Sequence, residues 1–483
     1  MDGSAPAALG VAPEDRLPDG FAVRLDPRTR RRDGGATLLG GSPLRLLRLA
    51  PRARELLTGD RLVVRDAATA SLAASLLDAG LAHPDLAAGS AGDGGADVTV
   101  VVPVKDRPAE LARLLAALRA GPGTAALPIV VVDDGSATPV RAEGVVVVRH
   151  EEARGPAAAR NAGLRAVRTP FVAFLDSDCV PRPGWLTALL PHLADPRLAI
   201  VAPRIVGLPG RGWLADHEAV DGALDMGQRA APVRPLSGVS YVPSAALLCR
   251  RSALGAGFDE ALRVAEDVDL VWRLAAAGWR VRYDPSAEVA HQHPTGTGEW
   301  VRRRAFYGTG AALLAARHGS LVSPLVIAPE LAAAVALVAG GGRAGRAAGL
   351  ATLAVRAARL AGRLARPGER PRVGLAVFLV GRSAGAAARA LSRSVTRHHW
   401  PLTLIAALVS RRARRGALLL AVADGLLAWL PHRRRTGPVR HLVARRLDDL
   451  AYGSGLWAGA LRARSARALL PTRPTRPPRP PRG

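Results

Sequence analysis

Cysteine, lysine and aromatic side chains are all scarce in this chain, and each scarcity removes a class of explanation. Only two cysteines occur, Cys179 and Cys249. They cannot build a zinc site, because no histidine cluster stands at ligand spacing from them. Both lie in apolar, strand-like runs, so buried reduced thiols are expected. Aromatics make up 4% of the residues, so the positive charge is not accompanied by the base-stacking set of a nucleic-acid module. Lysine is nearly absent while arginine is abundant, a bias consistent with a GC-rich genome. Residues 1–18 lack a basic patch followed by an apolar stretch, so no signal peptide is expected and the main globular part is expected to stay in the cytosol.

What is present is ample apolar material and a strong positive charge. The 483 residues are 49% hydrophobic, carried by Ala, Leu and Val. At roughly 150 residues per domain, the length suggests about three units. The net charge of +27 thickens after residue 300, in Arg302–Arg304, in Arg411, Arg412, Arg414 and Arg415, and in Arg433–Arg435. These groups flank apolar segments, which points to a membrane surface rather than nucleic acid. The expected organisation is a small N-terminal domain at 17–84, a Gly-rich linker at 85–96, a central domain at 97–319, an apolar and Arg-rich helical region at 320–470, and a disordered Pro/Arg tail at 471–483.

The central domain alternates short apolar runs with amphipathic segments, the pattern of an α/β sheet. Strands are expected at 98–104, 129–132, 145–148, 171–175 and 198–203. Helices are expected at 108–119, with Leu111, Leu114, Leu115 and Leu118 on one face, and at 156–167. Ligands of such sheets bind beyond the carboxyl ends of the strands, and polar residues gather there. Pro103 and Asp106 follow the first strand, and Asp133-Asp134-Gly-Ser follows the second. Gly155 leads through Arg160-Asn161 into a helix, and Asp176-Ser-Asp178 closes the run Phe-Val-Ala-Phe-Leu. Each has an ordinary reading taken alone, as a turn, a helix start or a chance pair of acids.

Together and in this order they resemble the nucleotide-binding half of the family 2 glycosyltransferases, which have the Rossmann-like GT-A fold. The resemblance implies that Pro103, Asp106 and Asp133, with Asp134 adjacent, hold uracil and ribose, and that Gly155, Arg160 and Asn161 lie along the nucleotide. It implies a divalent cation, Mn²⁺ or Mg²⁺, held by Asp178 with Asp176 shared between ribose and metal. Hard cations of this kind take carboxylate oxygens and leave positions open for phosphate. The segments Gly-Ala-Gly-Phe-Asp259-Glu and Glu266-Asp267-Val-Asp269 are similar to the family's acceptor-side motifs, which makes Asp267 the general base of an inverting transfer. Glu266 and Asp269 read equally well as first-turn acids favoured by the helix dipole. The resemblance offers His291 as a further ligand of metal or diphosphate, with His293 second. It puts Trp300 and Arg303 where a mobile loop covers the donor. The Gln-x-x-Arg-Trp motif of processive members is absent, which disfavours long-chain synthesis.

Residues 17–84 resemble small winged-helix domains of the PqqD type, which bind leader peptides of ribosomally made, modified peptides. The whole arrangement is similar to the glycosyltransferases of mycofactocin systems. That implies UDP-glucose as donor, a peptide-derived redox cofactor as acceptor, and precursor peptide or pathway enzymes as further partners. A transferase of cell-envelope polysaccharide or glycolipid is the alternative within the same class. A non-catalytic peptide-presenting scaffold is the alternative outside it. Apolar segments at 321–341, 373–380, 402–409 and 417–430 are mostly shorter than the roughly 20 residues of a span, and Glu330 and Asp424 interrupt two of them. A helical bundle or an interfacial layer on the cytoplasmic face of the membrane is expected, with one or two true spans allowed.

Overall fold

The computed structural model describes residues 8–86, 97–365 and 370–473. Most of the expected linker and of the expected tail lies outside these described residues. Two compact units are present, Met1–Gly210 with Asp221–His293, and Arg211–Val220 with Pro294–Gly483.

The first unit holds the expected α/β sheet. Eight strands follow the order Cys179–Pro181, Arg280–His291, Leu198–Gly207, Ala246–Arg250, Phe171–Leu175, Val98–Val104, Ile129–Asp134, Val146–His150, and Ala231–Pro232 pairs with Arg280–His291. The last four in that order run parallel. Ala246–Arg250 is antiparallel to both its neighbours, so the sheet is mixed. Val98–Val104 and Ile129–Asp134 are near-continuous apolar runs because both faces are covered. Pro108–Ala120 begins with proline at its first turn and buries Leu111, Leu114 and Leu118, while Leu115 is only partly buried.

Pro156–Ala166 lies so close to the sheet that only glycine fits at its point of contact. A Cβ on Gly163 would stand 2.3 Å from Val101 Cγ1 and 3.2 Å from Val132 Cγ2. Gly163→Ala is therefore expected to destabilise the chain by about 1–3 kcal/mol through overpacking. The midpoint of denaturant unfolding reads this directly, and an unchanged midpoint would mean that the helix can step away from the strands at no cost.

Residues 17–84 form their own core in the same unit. Two three-stranded sheets are present, Arg61–Val63 with Ala22–Leu25 and Ala82–Pro84, and Arg30–Arg32 with Thr37–Gly40 and Arg45–Arg48. The helix Ala67–Ala79 is capped by Asp66 in a reciprocal pair with Thr69, and ends at Gly80 in the left-handed conformation. It buries Leu72, Ala73, Leu76 and Leu77 against Val23, Leu38 and Leu81.

The second unit is helical. Its longer helices are Thr297–His318, Pro329–Gly340, Arg343–Leu364, Val373–Arg393, Trp400–Val409, Arg411–Trp429 and Pro438–Arg462. Asp424, which interrupts an apolar run in the sequence, accepts from Arg445 at 2.9 Å and Arg446 at 2.7 Å, so its charge is matched within the unit. Among the described residues one helix, Val373–His398, is long and apolar enough to cross a membrane by length and composition. The loop expected around Trp300 and Arg303 is instead the first part of Thr297–His318, a run of 22 residues dominated by good helix formers.

Candidate active site

The strand ends bring together most of the residues that the sequence singles out. Phe171–Leu175 ends at Asp176, whose N–H donates to Ala245 O at 3.0 Å. Cys179–Pro181 turns back to pair with Arg280–His291, with Cys179 opposite His291. That pairing sets Asp178 beside the imidazole, with His291 Nε2 3.3 Å from Asp178 Oδ1. Ligand atoms of Asp176, Asp178 and His291 all lie within 4.8 Å of one another. Two carboxylates and an imidazole at this spacing fit a divalent cation with open positions. The other Asp178 oxygen pairs with Arg107, and Gln292 N–H donates to the Asp178 carbonyl at 3.0 Å.

Asp133 and Asp134 lie at the end of Ile129–Asp134. Burial alone would raise the Asp133 carboxyl, but hydrogen bonds from Ser136, Val140 and Arg149 outweigh it and hold the group below the usual carboxylate range. Asp134 accepts from Arg154 N–H at 2.9 Å and Gly155 N–H at 2.8 Å, with His150 Nδ1 at 2.8 Å. These bonds fix the turn at Gly155, whose φ of 96° favours glycine. Asp106 joins the two strand-end loops: its N–H donates to Ser136 Oγ at 3.0 Å and its Oδ1 accepts from Ala137 N–H at 2.7 Å. Pro103 is half-buried opposite Val132 in the strand beside it.

Arg160 is buried and donates to two carboxylates at once, Asp176 at 2.6 Å and Glu266 at 3.0 Å. It thereby ties the Asp-Ser-Asp turn to the start of the helix Glu266–Ala276. Glu266 is thus an ion-pair partner of Arg160, and Asp269 pairs with Arg273 one turn on at 2.6 Å. Asn161, expected along the nucleotide, has its carboxamide engaged elsewhere. It accepts from Phe258 N–H and donates to Phe258 O, each at 2.8 Å, and also donates to Glu260.

Asp267 sits in the first turn of its helix, just after Ala265, which adopts a left-handed φ of 66°. Its carboxylate accepts from Val268 N–H at 2.8 Å and Ser244 N–H at 3.2 Å. Burial, and then the neighbouring Glu266 charge, push the Asp267 carboxyl up to about 7. A carboxylate poised there is suited to take a proton near neutral pH. Both thiols are buried, and burial pushes them up from the ordinary range, so they stay protonated and inert.

Trp300 is buried within the helical unit, where its indole N–H donates to Glu218 at 2.7 Å and its ring meets Trp213 edge-on. Arg303 is half-buried on the same helix. Sequence reasoning missed Arg107, Ser244 and Gln292. Arg107 was within reach, since it directly follows Asp106 at a strand end. The other two act through backbone N–H groups, which leave no signature in residue type.

Residues 99–256 match the family described as Glycosyl transferase family 2. Over 473 residues the chain is 49% identical to the pre-mycofactocin glycosyltransferase of Mycobacterium tuberculosis, covering 94% of this chain and 98% of that protein. It is 30% identical over 250 residues to the succinoglycan biosynthesis protein ExoU of Rhizobium meliloti, covering 45% of this chain and 70% of that one. Among solved structures, a mannosyltransferase from Pyrobaculum calidifontis in complex with GDP-Man and Mn2+ aligns over 73% of this chain and 87% of its own, at 20% identity and a TM-score of 0.38. The near end-to-end likeness at 49% identity, together with the matched central segment, places this chain in the family 2 glycosyltransferases.

Proposed function

We propose that the chain transfers a sugar, glucose from UDP-glucose, with inversion to a peptide-derived redox cofactor precursor of the mycofactocin kind. The observation that carries the acceptor is the extent of the likeness. The pre-mycofactocin glycosyltransferase matches across 94% of the chain, flanking regions included, whereas the succinoglycan biosynthesis protein ExoU matches 45% of it.

Asp106 and Asp133, with Pro103 and Asp134, receive uracil and ribose, and Asp176 is shared between the nucleotide and a divalent cation, Mn²⁺ or Mg²⁺. Asp178 and His291 complete the cation's protein ligands. Such a cation supplies positive charge against the diphosphate as it leaves. Asp267 takes the proton from the acceptor hydroxyl while that oxygen bonds to the anomeric carbon. The bond from that carbon to the diphosphate oxygen breaks, and UDP leaves with the electron pair. One base and no covalent partner give inversion. Residues 17–84, as a PqqD-like winged-helix domain, engage precursor peptide or pathway enzymes. The arginine groups at 411–415 and 433–435 face anionic headgroups on the cytoplasmic side of the cell membrane.

The test is transfer by purified protein from UDP-glucose to pre-mycofactocin with Mn²⁺, read by mass spectrometry of the product. One or a few added hexoses, joined with inverted anomeric configuration, are expected. Transfer that persists undiminished after chelation, or a product with retained configuration, would overturn the cation or the inverting mechanism respectively.

A further inference from the structure

Asp267 takes a hydrogen bond from Ser244, and Ser244 ends a long segment whose other end is held both by the central sheet and by the N-terminal domain. Residues 232–244 leave the short strand Ala231–Pro232 and lead into Ala246–Arg250. Near the base this segment is fastened twice, by Ser244 N–H on Asp267 at 3.2 Å and by Trp272 Nε1–H on Ser240 O at 2.7 Å. Ala245, the next residue, accepts from Asp176 N–H. The segment is therefore in register with both the nucleotide side and the base.

At its start Val233 N–H donates to Val281 O of the central sheet at 2.8 Å, and further fastenings come from residues 17–84. Arg234 donates to Asp78 O at 2.6 Å and Asp78 Oδ1 at 3.2 Å. Gly238 N–H donates to Ser42 Oγ at 2.8 Å. Gly80 is packed against Pro232, where an added Cβ would lie 3.2 Å from the proline ring. Asp78 is held in turn by Arg280, at 2.9 and 3.2 Å, and Arg280 also pairs with the buried Asp195. Between these anchors Leu236 is exposed and adopts a left-handed φ of 62°. A branched side chain is strained there unless its surroundings hold it, and strain of this sort collects where ligands are met.

We propose that the N-terminal domain is a working part of the acceptor side of the site: it grips residues 232–244 so that Ser244 meets Asp267, with Asp78 as the positioning residue. This rests on Asp267 being the base. Asp78 touches neither donor nor acceptor and acts through Arg234 and the segment that follows it.

The experiment uses the full chain with Asp78→Asn, Arg234→Gln and the milder Ser42→Ala, and with Asp78→Glu as the conservative control. Hydrogen–deuterium exchange at 232–244 is expected to quicken in the first two, less in Ser42→Ala, and to recover in Asp78→Glu. With UDP-glucose and pre-mycofactocin, the KM for the acceptor is expected to rise about tenfold in Asp78→Asn while that for UDP-glucose stays within about twofold. Unchanged exchange at 232–244 overturns the proposal, as does a parallel rise of both KM values, which marks a general loss of structure. A wild type inactive on pre-mycofactocin overturns the acceptor assigned above, and exchange still decides the grip.

Discussion

Asp267→Asn is expected to lower kcat by about 10²–10⁴-fold, the range of a lost general base, with little change in affinity for UDP-glucose. Asparagine keeps the shape, but its one carbonyl oxygen can accept only one of the N–H groups of Ser244 and Val268, which meet different oxygens of Asp267, so the unfolding midpoint is measured beside the rate to separate lost proton transfer from lost structure. The pH dependence gives a second reading of the same group. A base works deprotonated, and burial with the Glu266 charge pushes this carboxyl up to about 7. In the wild type, kcat/KM should therefore fall about tenfold per pH unit below that value. The acid limb should be absent from the residual activity of the variant. A variant with full turnover, or one that retains the limb, removes Asp267 from the role.

Asp178→Asn is expected to cost about 10³-fold in transfer, equivalent to about 4 kcal/mol of lost stabilisation of the leaving group. It also leaves Arg107 and His291, which both contact the carboxylate, without their anionic partner. Two measurements separate these effects. Mn²⁺ affinity, by calorimetry with UDP present, should weaken in step with the rate, whereas the unfolding midpoint should shift much less. Undiminished Mn²⁺ affinity would locate the cation elsewhere.

How far these residues could be read from sequence follows from how local their signals are. The Val-rich runs at 98–104 and 129–134, and the prolines that open the helices at Pro108 and Pro156, announce themselves within a few residues. So do the acids that end strands, Asp133 and Asp176. What stayed hidden depends on pairing between distant segments. Nothing near Ala246 says that its strand lies antiparallel between Leu198–Gly207 and Phe171–Leu175. Nothing near Asn161 says that its carboxamide clasps Phe258. The family pattern puts Trp300 in a covering loop, yet its neighbours favour helix and its indole is buried on Glu218. The two-sheet form of residues 17–84 was likewise out of reach, since its strands are only three or four residues long.

Arg160 sets a limit on how this site can evolve. Its guanidinium is shared between the partly exposed Asp176 and the buried Glu266, and losing the arginine leaves the buried Glu266 without its cation, at a cost of up to about 3–5 kcal/mol. Drift at any one of the three positions is penalised until the others change with it. The three are therefore expected to be kept or exchanged together, and on the proposed assignment they span the donor and acceptor halves. If the proposed assignment holds, donor or acceptor preference diverges at residues outside that set, such as Asp106 on one side and residues 232–244 on the other.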